Sequence, residues 1–202
     1  MFLHRDSQKR FYGQDYVYFV VTKTSDNYPY FREPIFCELL IEELKICEQL
    51  KRFKLYAFSV ICDHLNLLVQ PGDEYNISKI LQSIKKETAR DINYIINYHK
   101  GHIHKGDIPE CRLQGEQYSR HYDQTFIVPK LSIFCHEFIK KYPGQPFPKF
   151  QWQKSFYSHV VANDSDFENH FNYTVHNPEK HNLPADWQYS SLHYPELVEV
   201  SF

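Results

Sequence analysis

Along this chain, stretches with strand character and stretches with helical spacing take turns. Residues 15–24, DYVYFVVTKT, are aromatic and β-branched, the composition that strands favour. Over 33–52 the apolar positions Phe36, Leu40, Leu44 and Cys47 fall at helical spacing, with Glu and Lys on the outer face. Residues 54–62, KLYAFSVIC, predict a second strand, and 65–70 a third or its continuation. Gly72 and Asp73 mark a turn, and 77–98 predict a second helix. One face of that helix carries Ile77, Ile80, Leu81, Ile84, Thr88 and Ile95. Another carries Lys79, Ser83, Lys86, Arg90, Asn93 and Asn97. Residues 99–125 are polar, with Gly101, Gly106 and Gly115, and predict a long loop or insertion. A helix follows over 130–141, then a connector with Pro143, Gly144, Pro146 and Pro148, then a strand over 149–162. The last helix should start near Ser165, whose spacing to Glu168 fits a capping box. Pro178 should end it, because the residue before a proline avoids the helical region.

The order β-α-β-β-α-(insert)-β-α predicts an α+β sandwich of ferredoxin-like type. Its antiparallel sheet would carry helices on one face, with the C-terminal helix added. At 202 residues the chain is expected to form a single domain over 1–202, with the insertion around 99–145.

Composition sharpens this picture in three ways. An apolar share of 42% supports a packed core and excludes wholesale disorder. Five cysteines stand apart with no CxxC pair, and the N-terminal MFLHRDSQKRFYG lacks a signal peptide's apolar core. With no apolar run near the roughly 20 residues of a bilayer span, the expectation is a cytoplasmic protein without a membrane partner. The net charge of −2 hides segregation: residues 78–105 hold six basic and two acidic residues, while 163–199 hold one basic and seven acidic. The basic stripe is either a solvated helix face or a phosphate-binding surface.

Three constellations could carry chemistry. In Asp63-His64-Leu65-Asn66 the alternation of a strand points His64 and Asn66 the same way. Two polar residues on one face of a central strand need partners or a ligand, and imidazole and amide oxygen both suit Mg²⁺ or Mn²⁺. A pair satisfied within the core is the competing reading. On the last helix Phe167, Phe171, Thr174 and Val175 form an apolar arc. His170, Tyr173 and Asn177 form a separate stripe, which sets Tyr173 and Asn177 one turn apart on one face. A tyrosine becomes a nucleophile when a metal polarises its target, and is otherwise core or surface. The third is His99, His102 and His104, a literal His-hydrophobe-His in a glycine-flanked segment, read as a solvated loop rather than a metal site.

Taken together, four segments resemble the single-tyrosine HUH transposases, above all the REP-associated tyrosine transposases. They are YAFSVICDHLNLLVQP (56–71), ISKILQSIKKETARDI (77–92), QWQKSFYSHVV (151–161) and YTVHNPEKHNL (173–183), in the family's order. The resemblance implies metal-dependent cleavage and rejoining of single-stranded or hairpin DNA through a 5′-phosphotyrosine intermediate. It implies Tyr173 as nucleophile, and His64, Asn66 and Asn177 as ligands of Mg²⁺ or Mn²⁺. Lys79, Lys86 and Arg90 are expected to contact DNA, in a monomer or homodimer. The chain departs from the family at Asn66, where a second histidine is usual. It also has Ile61 and Cys62 before the motif, where a proline is usual, and His181 and Asn182 after Lys180, where a glycine is usual. The alternative the Asn66 departure raises is a degenerate DNA-binding module. Tyr157, beside Phe156, is read as packing, and Trp152 as a core or interface anchor; the chemistry of the residues assigns His159 no role.

Overall fold

The β-branched runs form strands and the helical spacings form helices, in the expected order. The computed structural model describes residues 13, 15–99, 124–144 and 146–199. Its sheet holds β1 (Tyr18–Lys23), β2 (Lys54–Ile61), β3 (His64–Gln70) and β4 (Tyr157–Val160). The helices are α1 (Pro34–Lys51), α2 (Ile77–His99), α3 (Gln124–Lys141), α4 (Asp164–Val175) and the single turn α5 (Asn177–Lys180). Strand order is β2-β3-β1-β4, and every pairing is antiparallel. This is the α+β, ferredoxin-like arrangement the element order predicts. Among the described residues no helix is long and apolar enough to cross a membrane.

The near-continuous apolar runs of β2 and β3 make sense because both sheet faces are covered. On one face Leu65, Leu67 and Val69 of β3 pack with the buried sides of α1, α2 and α3. All six residues expected to line the inner face of α2, from Ile77 to Ile95, are buried. Each such Ile or Leu contributes roughly 1.5–3 kcal/mol relative to leaving it exposed. The opposite face is smaller: Phe19, Ala57 and Leu68 meet Val175, with Phe167 and Phe171 against them. The last helix therefore covers the side of the sheet that α1 and α2 leave open.

Two joints fix the frame. Arg52 ends α1 in the left-handed conformation (φ 50°), and its carbonyl oxygen would lie 2.3 Å from a Cβ at Gly72. Only glycine lets the turn after β3 pass so close to the turn after α1. Glu33 caps α1 and accepts hydrogen bonds from Lys141 Nζ and from the Tyr142 hydroxyl, which docks the end of α3 on the start of α1.

Four boundaries differ from expectation. The strand expected over 149–162 is ordered as sheet only at Tyr157–Val160. Upstream, Gln153 N–H still donates to Lys23 O (2.8 Å), and Trp152 bridges Thr24, but the register has slipped. Lys85 Nζ binds the Gln153 and Ser155 carbonyls (2.6 and 3.3 Å) across this bulge. Helix α3 begins at Gln124, so 124 and 125 leave the expected loop. Pro129 sits in its second turn, where the missing N–H costs one helical bond. Helix α4 is capped by Asn163, whose Oδ1 accepts from Asp166 N–H (3.0 Å), and not by Ser165. It also ends at Val175, before Pro178 acts. His102 and His104, with most of the expected insertion, lie outside the described residues.

Candidate metal and nucleophile site

Alternation along β3 puts His64, Asn66 and Leu68 on the face covered by α4. His64 is 5% exposed, and its Nδ1–H donates to Asp63 Oδ1 at 2.6 Å. That bond fixes the tautomer and leaves Nε2 as the free lone pair. Burial lowers the His64 pKa, with Asp63 opposing, so the neutral imidazole is favoured. The His181 ring stands 4.9 Å away.

Asn66 and Asn177 are both wholly buried. Asn66 Nδ2 donates to Ser59 Oγ (3.2 Å) and to Asn177 Oδ1 (3.1 Å). Asn66 Oδ1 and Asn177 Nδ2 have no hydrogen-bond partner among the described residues. An unpaired buried carbonyl oxygen is costly, and a hard cation is one remedy. One imidazole nitrogen and two amide groups therefore gather from β3 and α5 as a neutral donor set that fits Mg²⁺ or Mn²⁺. The structure brings all three expected ligand residues onto one side of the sheet.

Tyr173 does not stand on a continuous helix with Asn177, as the spacing suggested. His176 breaks the helix (φ −93°, ψ 10°), and Asn177 opens α5. Tyr173 is 38% exposed while Asn177 is fully buried. The Tyr173 ring meets Phe19 edge-on at 5.5 Å, and Lys180 Nζ lies 4.1 Å from its centroid. A cation thus sits beside the exposed phenol, while its sequence neighbour His181 sits beside His64. Sequence reasoning gave neither residue a role, although both lie in the quoted segment YTVHNPEKHNL. Tyr157 is half exposed and touches Phe19 edge-on at 6.4 Å, so its packing is partial. Trp152 packs on Phe31 and Phe150, as an anchor should.

The expected DNA contacts line two adjoining grooves between α2 and the segment before β4. Lys86 and Arg90 border one of about 510 Å³, with Lys85, Lys149, Trp152 and Lys154. Lys79 borders the other, of about 490 Å³, with Gln82 and again Lys85 and Lys154. Arg90 is the most committed of them, held by Glu87 and by Asp91 (Nε to Oδ1 2.6 Å). Lys86 is mostly exposed.

Comparison with known proteins shows what the first half resembles. The family described as "Transposase IS200 like" matches residues 12–108. This stretch is similar to the IS200-like transposases. It runs from before β1 through α2 and so holds His64 and Asn66, while Tyr173 and Asn177 lie beyond it. A "Putative REP-associated tyrosine transposase" of Haemophilus influenzae is 38% identical over 52 residues, 24% of this chain. The chain thus spans under a third, 30%, of that relative's length. The REP-associated tyrosine transposase solved bound to a REP hairpin is similar in fold (TM-score 0.58). At 16% identity the match covers 98% of this chain and 90% of that one. The fold likeness therefore extends over the C-terminal part, where the family match stops.

Proposed function

We propose that this chain binds single-stranded or hairpin DNA and cleaves and rejoins it through Tyr173. The observation that carries the reading is the company of that tyrosine. An exposed phenol with Lys180 beside it shares the α4-covered face of the sheet with His64, Asn66 and Asn177. His64 and Asn66 lie in the stretch that matches the IS200-like transposases, and the fold likeness to a REP-associated tyrosine transposase extends over Tyr173 and Asn177.

His64 Nε2, Asn66 Oδ1 and Asn177 would hold Mg²⁺ or Mn²⁺. The ion's contribution is to draw charge from the non-bridging oxygens of the scissile phosphate. The remaining work falls to the chain. Asp63 orients His64. Phe19 meets the Tyr173 ring edge-on, and Tyr173 stays 38% exposed. Lys180 adds positive charge where phenolate and phosphate would meet. Tyr173 Oη gives up its proton to solvent and forms a bond to phosphorus, the 3′-oxygen leaves and takes up a proton, and the 5′ side stays on the tyrosine. Attack by a 3′-hydroxyl reverses these bonds, which is why joining needs no nucleotide cofactor. Lys79, Lys86 and Lys154 supply phosphate contacts along the grooves by α2.

One observation favours a second reading, binding without chemistry. The hydrogen bond from Asn66 to Asn177 occupies the Asn177 oxygen. The deciding experiment mixes wild type and Tyr173→Phe with labelled single-stranded hairpin DNA and Mn²⁺, followed by denaturing electrophoresis. A covalent adduct with wild type alone is expected. Adduct that persists in Tyr173→Phe removes Tyr173 as nucleophile. Native binding with no adduct, and adduct gained by Asn66→His, would establish the second reading.

A further inference from the structure

A second group of ligating side chains lies on the same sheet face, toward the other end of β1. His159 of β4 stands opposite Phe19, whereas His64 stands opposite Lys23, four residues or about 13 Å along the strand. Asp166 and His170 follow on α4, one turn apart. His159 Nε2 is 2.8 Å from Asp166 Oδ2, and His170 Nε2 is 3.4 Å from Asp166 Oδ1. The three ligand atoms all lie within 4.8 Å of one another. Zinc bonds of about 2.0–2.1 Å in a tetrahedron set ligand atoms about 3.4 Å apart, so small side-chain adjustments suffice.

Each ligand is held from behind. Asp166 Oδ2 accepts the Ala162 N–H (2.8 Å), and its own N–H donates to the capping Asn163. The His170 ring stacks on Phe19 at 4.4 Å with 19° between planes. The His159 ring lies 4.8 Å from that of His170. The side chains are 23–37% exposed, so solvent reaches the open side.

We infer that His159, Asp166 and His170 form a binding site for a borderline divalent cation, Zn²⁺ foremost, that staples the start of α4 to β4. Two imidazoles and one carboxylate, with a position left for water, are the donor set such ions take. Mg²⁺, which prefers oxygen, is disfavoured there. Because Tyr173 lies on α4 and touches the same Phe19 as His170, the ion would fix the helix that presents the tyrosine. This inference is independent of whether DNA is cleaved.

The test titrates the full chain with Zn²⁺ against a chromophoric chelator, for wild type, His64→Ala, His159→Gln and His170→Ala. One equivalent is expected in wild type and in His64→Ala, with affinity at least tenfold weaker in the other two. Far-UV circular dichroism checks their folding. Co²⁺ on wild type gives a reading that needs no variant: visible ligand-field bands without near-ultraviolet thiolate charge transfer. No uptake by wild type, equal affinity in all four proteins, or a thiolate band would each overturn the site.

Discussion

Truncating Asn66 tests whether the buried amide pair holds the fold as the structure shows. Asn66→Ala removes the donor of two hydrogen bonds, to Ser59 and to Asn177. Asn177 Oδ1 is then stranded in a wholly buried position, at about 1–3 kcal/mol, and Ser59 Oγ loses a partner as well. Removing Asn66 Oδ1, itself unpaired, returns about as much as one stranded atom costs. With the space left by the lost amide group, a net destabilisation of about 1–3 kcal/mol is expected. Urea denaturation reads this as a lower midpoint at unchanged slope. Asn177→Ala should cost a similar amount. The double variant should cost less than the sum, with a coupling of about 1 kcal/mol. A loss under about 0.5 kcal/mol for Asn66→Ala, or strict additivity, would refute the argument that these amides depend on each other.

Three further outcomes follow from named contacts. Gly72→Ala places a Cβ 2.3 Å from the Arg52 carbonyl, backbone against backbone, and should cost roughly 1–3 kcal/mol by thermal or urea denaturation; an unchanged midpoint would show that the turn relaxes freely. Burial pushes Tyr30, Tyr189 and the Cys135 thiol up to about 12. These groups ionise earlier in the unfolded chain, from about pH 8.5 for thiols and 10 for phenols. The stability they give is therefore complete below those values and is lost as pH climbs toward 12. A midpoint that stays flat between pH 8 and 11 would contradict this. For the proposed DNA contacts, Lys86→Ala with Lys154→Ala should weaken hairpin binding alike for all sequences. The salt dependence should become shallower by about 0.7 per lost phosphate contact, and an unchanged slope would move the DNA elsewhere.

The parts of this molecule legible in the sequence are those set by local period. Phe36, Leu40, Leu44 and Cys47 in α1, and the six inner residues of α2, repeat every three to four positions and are all buried. The pairing of His64 with Asn66 on one face follows from strand alternation alone. What stayed hidden depends on contacts distant in sequence. The slip of register before β4 is bridged by Lys85, about 70 residues earlier. The true cap of α4 is hard to read because Asn163, Asp164, Ser165 and Asp166 are all capping residue types in a row. His159 had no chemistry in the sequence because Asp166 and His170 reach it only once α4 folds back across β4.

The break at His176 shows why helical spacing was the wrong guide for the site itself. A straight helix would keep Tyr173 and Asn177 on one stripe, so both would be buried or both exposed. The chain needs them different: Tyr173 open to solvent against Phe19 of β1, and Asn177 buried against Asn66 of β3. Ending α4 at Val175 and restarting at Asn177 meets both requirements. Thr174 and Val175 can then pack inward, while α5 turns Pro178 into the interior and leaves Lys180 exposed beside the phenol. The same turn sets the His181 ring 4.9 Å from that of His64. Asn66, on the same strand face as His64, and His181, beside the His64 ring, thus both border the candidate site. Exchanging Asn66 for His alone would add one imidazole near His64, where that of His181 already stands. Asn66→His should therefore gain more in metal affinity when combined with His181→Gly than by itself. Equal gains with and without that second change would show that His181 does not constrain the site.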